Sequence, residues 1–257
     1  MQQMVDLRVG ALSGFEPGTV VSLGPGDGVQ DAMFVQALAG QSDSLLYIPV
    51  DISRRLLLES VKNVEPHVAI PVAVHCDFEE SEVLPNGLLK FGNPPFLIAM
   101  FGGTIGNLDS GVRRFLSRIR KLMDAEDAFL VDVPLAGAAW TPEREPRLKA
   151  ENYSQTFRSF FQRCSGPACR DTDSDSVTMS FEEQFELSLA DDSELNARTI
   201  EARNLKTGEV IRNRRFHWPS FLDWVSSSGF RILSESSTLE SSDSVFGMGA
   251  ALLARDC

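Results

Sequence analysis

The sequence predicts an α/β fold, a parallel sheet with helices on both faces that carries a small β-rich insertion. Three observations predict it. Over residues 19–133, short apolar runs alternate with helical apolar stripes, the mark of strand–helix–strand units. After Pro134 the pattern turns polar and proline-interrupted, then reads as strands broken by turns over 177–216. Past residue 217 a helix and two strands return. The expected layout is a core at 1–134 and 218–257, with an insertion at 135–217. A chain of 257 residues fits one such domain. It buries roughly 70–75% of its unfolded surface and needs no disulfide or metal staple.

Taken in order, Thr19–Leu23 is a buried strand ending at Gly24-Pro25-Gly26-Asp27-Gly28. A helix carrying Ala32, Val35 and Leu38 follows and stops near Gly40. Leu45–Val50 is a second strand ending in Asp51, where Pro49 argues for an edge position or a local irregularity. After a short helix, Ala69–His75 is a third strand leading to Cys76-Asp77-Phe78. Phe96–Phe101 is a fourth, leading to Gly102-Gly103-Thr104-Ile105-Gly106-Asn107. Val112, Phe115, Leu116, Ile119, Leu122 and Met123 then form one apolar helix stripe, with Asp109 or Ser110 as its cap. Ala128–Val133 is the fifth strand. Within the insertion, Phe157, Phe160 and Phe161 sit at helical spacing, and Lys206-Thr207-Gly208-Glu209 suits a hairpin turn. Pro219 opens a helix that Gly229 closes. Phe230–Leu233 and Met248–Ala254 are the final strands, joined by a Ser-rich loop at Ser234–Ser244.

A net charge of −12 repels phosphate backbones and anionic lipid, so neither nucleic acid nor a membrane is expected as a partner. No apolar run reaches the roughly 18 residues of a transmembrane helix. The start, Met1-Gln2-Gln3-Met4-Val5-Asp6, lacks the basic head and apolar middle of a secretory leader. Four cysteines in a chain this long read as reduced thiols, consistent with the cytoplasm. Only Cys164 and Cys169 lie close together, and His67, His75 and His217 offer them no zinc-ligand spacing, so no metal site is expected.

The strongest local signal is Gly24-Pro25-Gly26-Asp27-Gly28 between a strand and a helix. Glycines there let the backbone approach a ligand, and the helix N-terminus adds N–H donors. A dinucleotide fingerprint needs glycine at position 29, where Val29 stands. The spacing suits the amino-acid end of S-adenosylmethionine better. Asp51 ends the second strand 27 residues after Gly24 and can accept from both ribose hydroxyls. Asp77 ends the third strand, where it can accept from an adenine amino group while the Phe78 ring packs on the base. Two such acids beside a Gly-rich turn mark the place where open α/β sheets bind nucleosides. In the fourth strand's loop, glycines surround Asn107, which either shapes a turn or binds an amine or carboxylate. Within the insertion, Met179, Phe181, Phe185 and Leu187 alternate as one strand face, and Glu183 falls on it. A carboxylate facing inward needs a partner. That partner is a cationic substrate or an arginine among Arg198, Arg203, Arg212, Arg214 and Arg215. Phe157, Phe160 and Phe161 read as core, and Cys164 and Cys169 as loop thiols.

Four blocks carry a resemblance: Gly24-Pro25-Gly26, Pro49-Val50-Asp51, Cys76-Asp77-Phe78-Glu79-Glu80 and Gly103-Thr104-Ile105-Gly106-Asn107-Leu108. In order and spacing they resemble the signature blocks of the histidine-specific, S-adenosylmethionine-dependent methyltransferases, the group that includes the histidine Nα-methyltransferase of ergothioneine biosynthesis. The resemblance implies a class I (Rossmann-like) methyltransferase core using S-adenosyl-L-methionine, with the insertion holding a small amino-acid-like substrate. It implies cofactor contacts from Gly24, Pro25, Gly26, Asp51 and Ile52, and from Gln30, Asp77, Phe78 and Gly102. Asn107, Glu183 and Asn213 are the candidate substrate contacts, and no catalytic base is assigned. The chain departs from the family in three places. Eighteen residues precede the first core strand, where family members carry several tens. Gln30 stands in place of a lysine. Ile211 and Asn213 stand where the histidine enzyme has an acid and a hydroxyl that read the imidazole. Free histidine is therefore not the expected substrate. Two other readings stay open: cyclisation or aminocarboxypropyl transfer, which releases methylthioadenosine, and cofactor binding without turnover.

Overall fold

The computed structural model describes residues 2–40, 44–79, 88–108, 111–137, 185–192, 195–208, 210–239 and 246–256. Five strands run parallel in the order β3 (Val74–His75), β2 (Leu46–Asp51), β1 (Thr19–Leu23), β4 (Phe96–Met100) and β5 (Ala128–Ala136). β10 (Phe246–Arg255) lies antiparallel along all of β5, and β9 (Phe230–Ser237) lies antiparallel beyond it. Every residue of β1 and β4 is buried, so both read as continuous apolar runs rather than alternating ones.

Helices cover both faces. α1 (Gln2–Ala11), α2 (Val29–Ala39) and α3 (Arg54–Val64) bury Leu7, Ala11, Phe34, Val35, Leu38 and Val64 against one face. α4 (Val112–Leu122) and α5 (Trp218–Ser227) bury Val112, Phe115, Leu116, Ile119, Phe221 and Val225 against the other. The twofold period of β5 decides what each layer meets. Val131, Val133 and Leu135 join the α4 side, and Leu130 and Asp132 face the α1 side. This is the α/β sheet that the sequence predicts.

The described part of the insertion is an antiparallel meander of β6 (Phe185–Asp192), β7 (Ala197–Asn204) and β8 (Val210–Phe216). The expected turn joins β7 to β8, with Gly208 at φ 75° and its N–H on Asn204 O at 2.8 Å. β8 meets β5 through one parallel pair, Leu135 with Phe216. Because β10 occupies one side of β5, β8 takes the other side, just past the point where β4 ends at Met100–Val131. The meander thereby stands at the C-terminal end of β4.

Several expectations are corrected. The third strand is Val74–His75, joined to the sheet farther back only by a Leu46–Ala69 bridge, since Pro71 interrupts the run. Pro49 marks a local irregularity in an interior strand. The Tyr47 N–H points to Ala69 O, so position 49 faces the same side, in the gap before Val50 meets Val74. β5 continues through Pro134 because its β10 partner does. Ser234–Ser237 belong to β9, held there by pairing with β10. Gly111, at φ 86°, occupies the N-cap position of α4, in place of Asp109 or Ser110, which lie outside the described residues. The N-terminal helix α1 is not foreseen by the sequence reading. Glu183, the phenylalanines at 157, 160 and 161, Cys164 and Cys169 also lie outside the described residues.

Candidate functional site

The C-terminal ends of β1, β2, β3 and β4 converge, and the local sequence dictates what each delivers. β1 ends where the Gly24 N–H bonds to Val50 O at 2.8 Å. The chain then turns through left-handed residues Gly24 (φ 68°) and Gly26 (φ 61°). A Cβ on Gly24 would press on Thr104 Cγ2 at 3.0 Å and the Phe78 ring at 3.6 Å. A Cβ on Gly26 would meet nothing within 4 Å. Gly26 thus borders open space, as a ligand-facing backbone should. Gly28 has a different duty. Its Cβ would lie 2.5 Å from Ser60 Cα, so this glycine lets α2 and α3 touch. Pro25 accepts from the Gly28 N–H at 3.0 Å and closes the turn.

Asp51 is 5% exposed at the end of β2. Its Oδ1 accepts from the Ser53 N–H at 2.7 Å, and Ser53 caps α3. Burial raises the Asp51 carboxyl above its ordinary range, against backbone N–H groups at Ser53 and Gly26 that pull it down. The carboxylate therefore sits against the glycine turn. Ile52, beside it, is 60% exposed although apolar. Asp77 is half-buried and accepts from the Glu79 N–H at 2.8 Å. Phe78 is buried, edge-on to Phe115 at 6.1 Å and close to Gly24.

The β4 loop begins with Gly102 and Gly103 at φ 70° and 75°, followed by a 3-10 turn over Thr104–Asn107. The backbone of β8 lies on this turn, since a Cβ on Gly106 would be 2.8 Å from Arg214 O. Arg214 Nη1 donates to Leu108 O at 2.8 Å and to Gly106 O at 3.3 Å. That clamp joins the loop that carries Asn107 to the strand that carries Asn213. The Oδ1 atoms of both are enclosed and accept no hydrogen bond.

A group that sequence reasoning missed stands behind the glycine loops. Arg8 of α1 is wholly buried, with Nε on Asp132 Oδ2 at 2.8 Å and Nη2 on Gln30 Oε1 at 2.6 Å. Asp132 Oδ1 accepts from the Gly103 N–H at 3.1 Å. Burial raises the Asp132 carboxyl, with Arg8 opposing. Gln30 is thereby tied to the Gly102 loop, its Nε2 4.0 Å from where a Gly102 Cβ would stand. An isolated arginine in a short N-terminal helix gave no signal; only the chain's return at Asp132 explains it.

The family model described as histidine-specific, S-adenosylmethionine-dependent methyltransferase matches residues 3–138. The chain belongs to that family. S-adenosylmethionine is therefore the cofactor of this methyltransferase. A comparison with curated proteins finds no match. Among solved structures, a S-adenosylmethionine-dependent methyltransferase from Clostridium acetobutylicum aligns over 100% of this chain and 92% of its own, with 11% identity and a TM-score of 0.53. The CcbJ methyltransferase from Streptomyces caelestis aligns over 98% and 90%, with 14% identity and a TM-score of 0.51. The glycopeptide N-methyltransferase MtfA, solved with S-adenosylmethionine, aligns over 98% and 87%, with 12% identity and a TM-score of 0.52. At such identities these likenesses establish a class I Rossmann-like fold. The methyltransferase's residues fit the cofactor: Gly26 leaves open backbone and Asp51 offers a buried acceptor. Among the described residues no helix is long and apolar enough to cross a membrane.

Proposed function

We propose that this methyltransferase transfers a methyl group to an amine of a small amino acid or an amino-acid-derived metabolite. The observation that carries the reading is that two amide oxygens, Asn107 Oδ1 and Asn213 Oδ1, are enclosed without donors, on the loop and the strand that the Arg214 clamp joins. A buried acceptor without a donor costs about 1–3 kcal/mol, and two such acceptors call for a ligand rich in N–H. An amine supplies those donors; a hydroxyl acceptor supplies one at most.

Bound S-adenosylmethionine supplies a methyl group already activated on sulfur. The chain needs only to bind and orient. Gly24, Pro25, Gly26 and Gly102 give the cofactor close backbone approach, Asp51 accepts from its ribose, and Ile52, Asp77 and Phe78 border its base. Asn107 and Asn213 accept N–H bonds and aim the nitrogen's remaining lone pair at the methyl, about 3 Å away. Both amides accept bonds but do not take a proton, so the amine arrives neutral and no catalytic base is needed from these residues.

Asn107→Ala and Asn213→Ala test the reading. Each lowers kcat/KM for the acceptor by about 10- to 100-fold and leaves S-adenosylhomocysteine affinity within calorimetric error. A fall in cofactor affinity with unchanged acceptor kinetics would make Asn107 a cofactor ligand or a turn residue instead.

A further inference from the structure

Arg8 carries more donors than its visible partners use. A guanidinium offers five N–H groups in one plane along two usable edges. Asp132 Oδ2 occupies the side edge, taking Nε and Nη2. On the terminal edge, Nη2 reaches Gln30 Oε1 at 2.6 Å, while Nη1 is enclosed and donates to nothing. The side chain is 0% exposed. Phe101 closes one face, with Cζ 4.1 Å from its ring centroid. If holding Asp132 were the whole purpose, Nη1 would be a charged donor desolvated for nothing, and an unpaired group of that kind is costly.

The position of that edge names a partner. Gln30 opens α2 directly after the glycine turn, and its amide lies beside Gly102. Asp132 fixes the guanidinium with one oxygen and the Gly103 N–H with the other. The terminal edge therefore borders the cradle between the 24–28 turn and the 102–107 loop, on the side away from Asp51. A ligand held at Asp51 by its ribose points its far end here. The group that matches a planar two-nitrogen edge is a carboxylate.

We propose that Arg8 receives the methionine carboxylate of S-adenosylmethionine, with Asp132 as the positioning residue that sets its guanidinium. α1 is then part of the cofactor site and not merely a cover for the sheet. Gln30, in this arrangement, yields part of the Arg8 edge to the ligand and turns its amide toward the same carboxylate.

Binding calorimetry with two ligands tests this apart from turnover: S-adenosylhomocysteine, which has the carboxylate, and methylthioadenosine, which lacks the whole amino-acid end. The double variant Arg8→Gln/Asp132→Asn removes both charges together, so no buried ion is orphaned. S-adenosylhomocysteine affinity falls about 10- to 100-fold in it, while methylthioadenosine affinity is unchanged. Equal losses for the two ligands would make Arg8 a structural strut and overturn the proposal; so would an unaltered S-adenosylhomocysteine affinity. Wild-type protein labelled with 15N-arginine needs no substitution. Its Arg8 Nη resonances shift on saturation with S-adenosylhomocysteine and stay in place with methylthioadenosine. Identical spectra with the two ligands would overturn the proposal even if the double variant failed to fold.

Discussion

Asp51 and Asp31 are both buried acids, at 5% and 1% exposure, yet only Asp51 borders the glycine cradle. Asp31 lies between β1, β2 and α2, where Ser22 Oγ and Tyr47 Oη both donate to its Oδ1, the latter at 2.9 Å. Burial lifts its carboxyl from 3.8 to about 6, against those hydrogen bonds. The folded chain therefore holds this proton more tightly than the unfolded chain does. Its contribution to stability is complete below the unfolded value and is lost as pH rises from about 4 through about 6. Asp31→Asn keeps an oxygen for Ser22 and Tyr47 and removes the titration. Melting curves should then show the variant gaining on wild type between pH 4 and 7, by roughly 3 kcal/mol at most. Asp51 is separated from Asp31 by ligand binding: Asp51→Ala should lose about 1.5–3 kcal/mol in S-adenosylhomocysteine affinity. A pH slope unchanged in Asp31→Asn would mean that Asp31 is ionised in the fold. An unchanged affinity in a folded Asp51→Ala would remove Asp51 from the site. Asp51 is legible in the sequence because it stands at a strand end at a readable distance from Gly24. The Arg8–Asp132 pair is not, since its members are 124 residues apart and each looks ordinary alone.

The strand-to-helix turn after β1 shows how one motif serves two elements. Its glycines look equivalent in sequence, but Gly26 faces open space and Gly28 faces the α3 backbone. Gly26→Ala meets only the left-handed backbone penalty, about 1–2 kcal/mol, and with the cofactor seated on the turn as proposed its new methyl group intrudes on it. Gly28→Ala adds a contact of 2.5 Å with Ser60 Cα and must move a helix. Chemical denaturation should rank Gly28→Ala as the more destabilised by about 1–3 kcal/mol. Calorimetry should rank Gly26→Ala as the weaker cofactor binder among folded variants. The reverse ranking would place the ligand against α3. Element identity was readable wherever apolar period and punctuation agreed, as in β1, α4 and the β7–β8 turn. It was not readable where pairing overruled composition. β10 draws Ser234–Ser237 into β9, and Pro71 leaves only two residues of β3.

At the scale of the molecule, the glycine turns close the C-terminal end of the sheet, and the β6–β8 meander is set over the end of β4 by the Leu135–Phe216 pair and the Arg214 clamp. The core was predictable because strand, loop and helix recur at close spacing. The placement of the meander was not, because it rests on long-range contacts, Leu135 with Phe216 and Arg214 with Leu108. The strand that carries Asn213 consequently meets the loop that carries Asn107 through topology rather than through any motif. The meander also bears on the acceptor. A bound imidazole needs partners for both ring nitrogens, and Ile211 and Asn213 are proposed to stand where the histidine enzyme has an acid and a hydroxyl. The central claim is methyl transfer to a small amine, and product analysis tests it most directly. The protein is incubated with S-adenosylmethionine and a panel of free amino acids and simple amines that includes L-histidine, and the nucleoside and amine products are quantified together. The account predicts S-adenosylhomocysteine in step with an N-methylated product from one class of amine, with histidine at least about a hundredfold poorer than the best acceptor. Methylthioadenosine as the nucleoside product, or efficient methylation of histidine above all other acceptors, would contradict it.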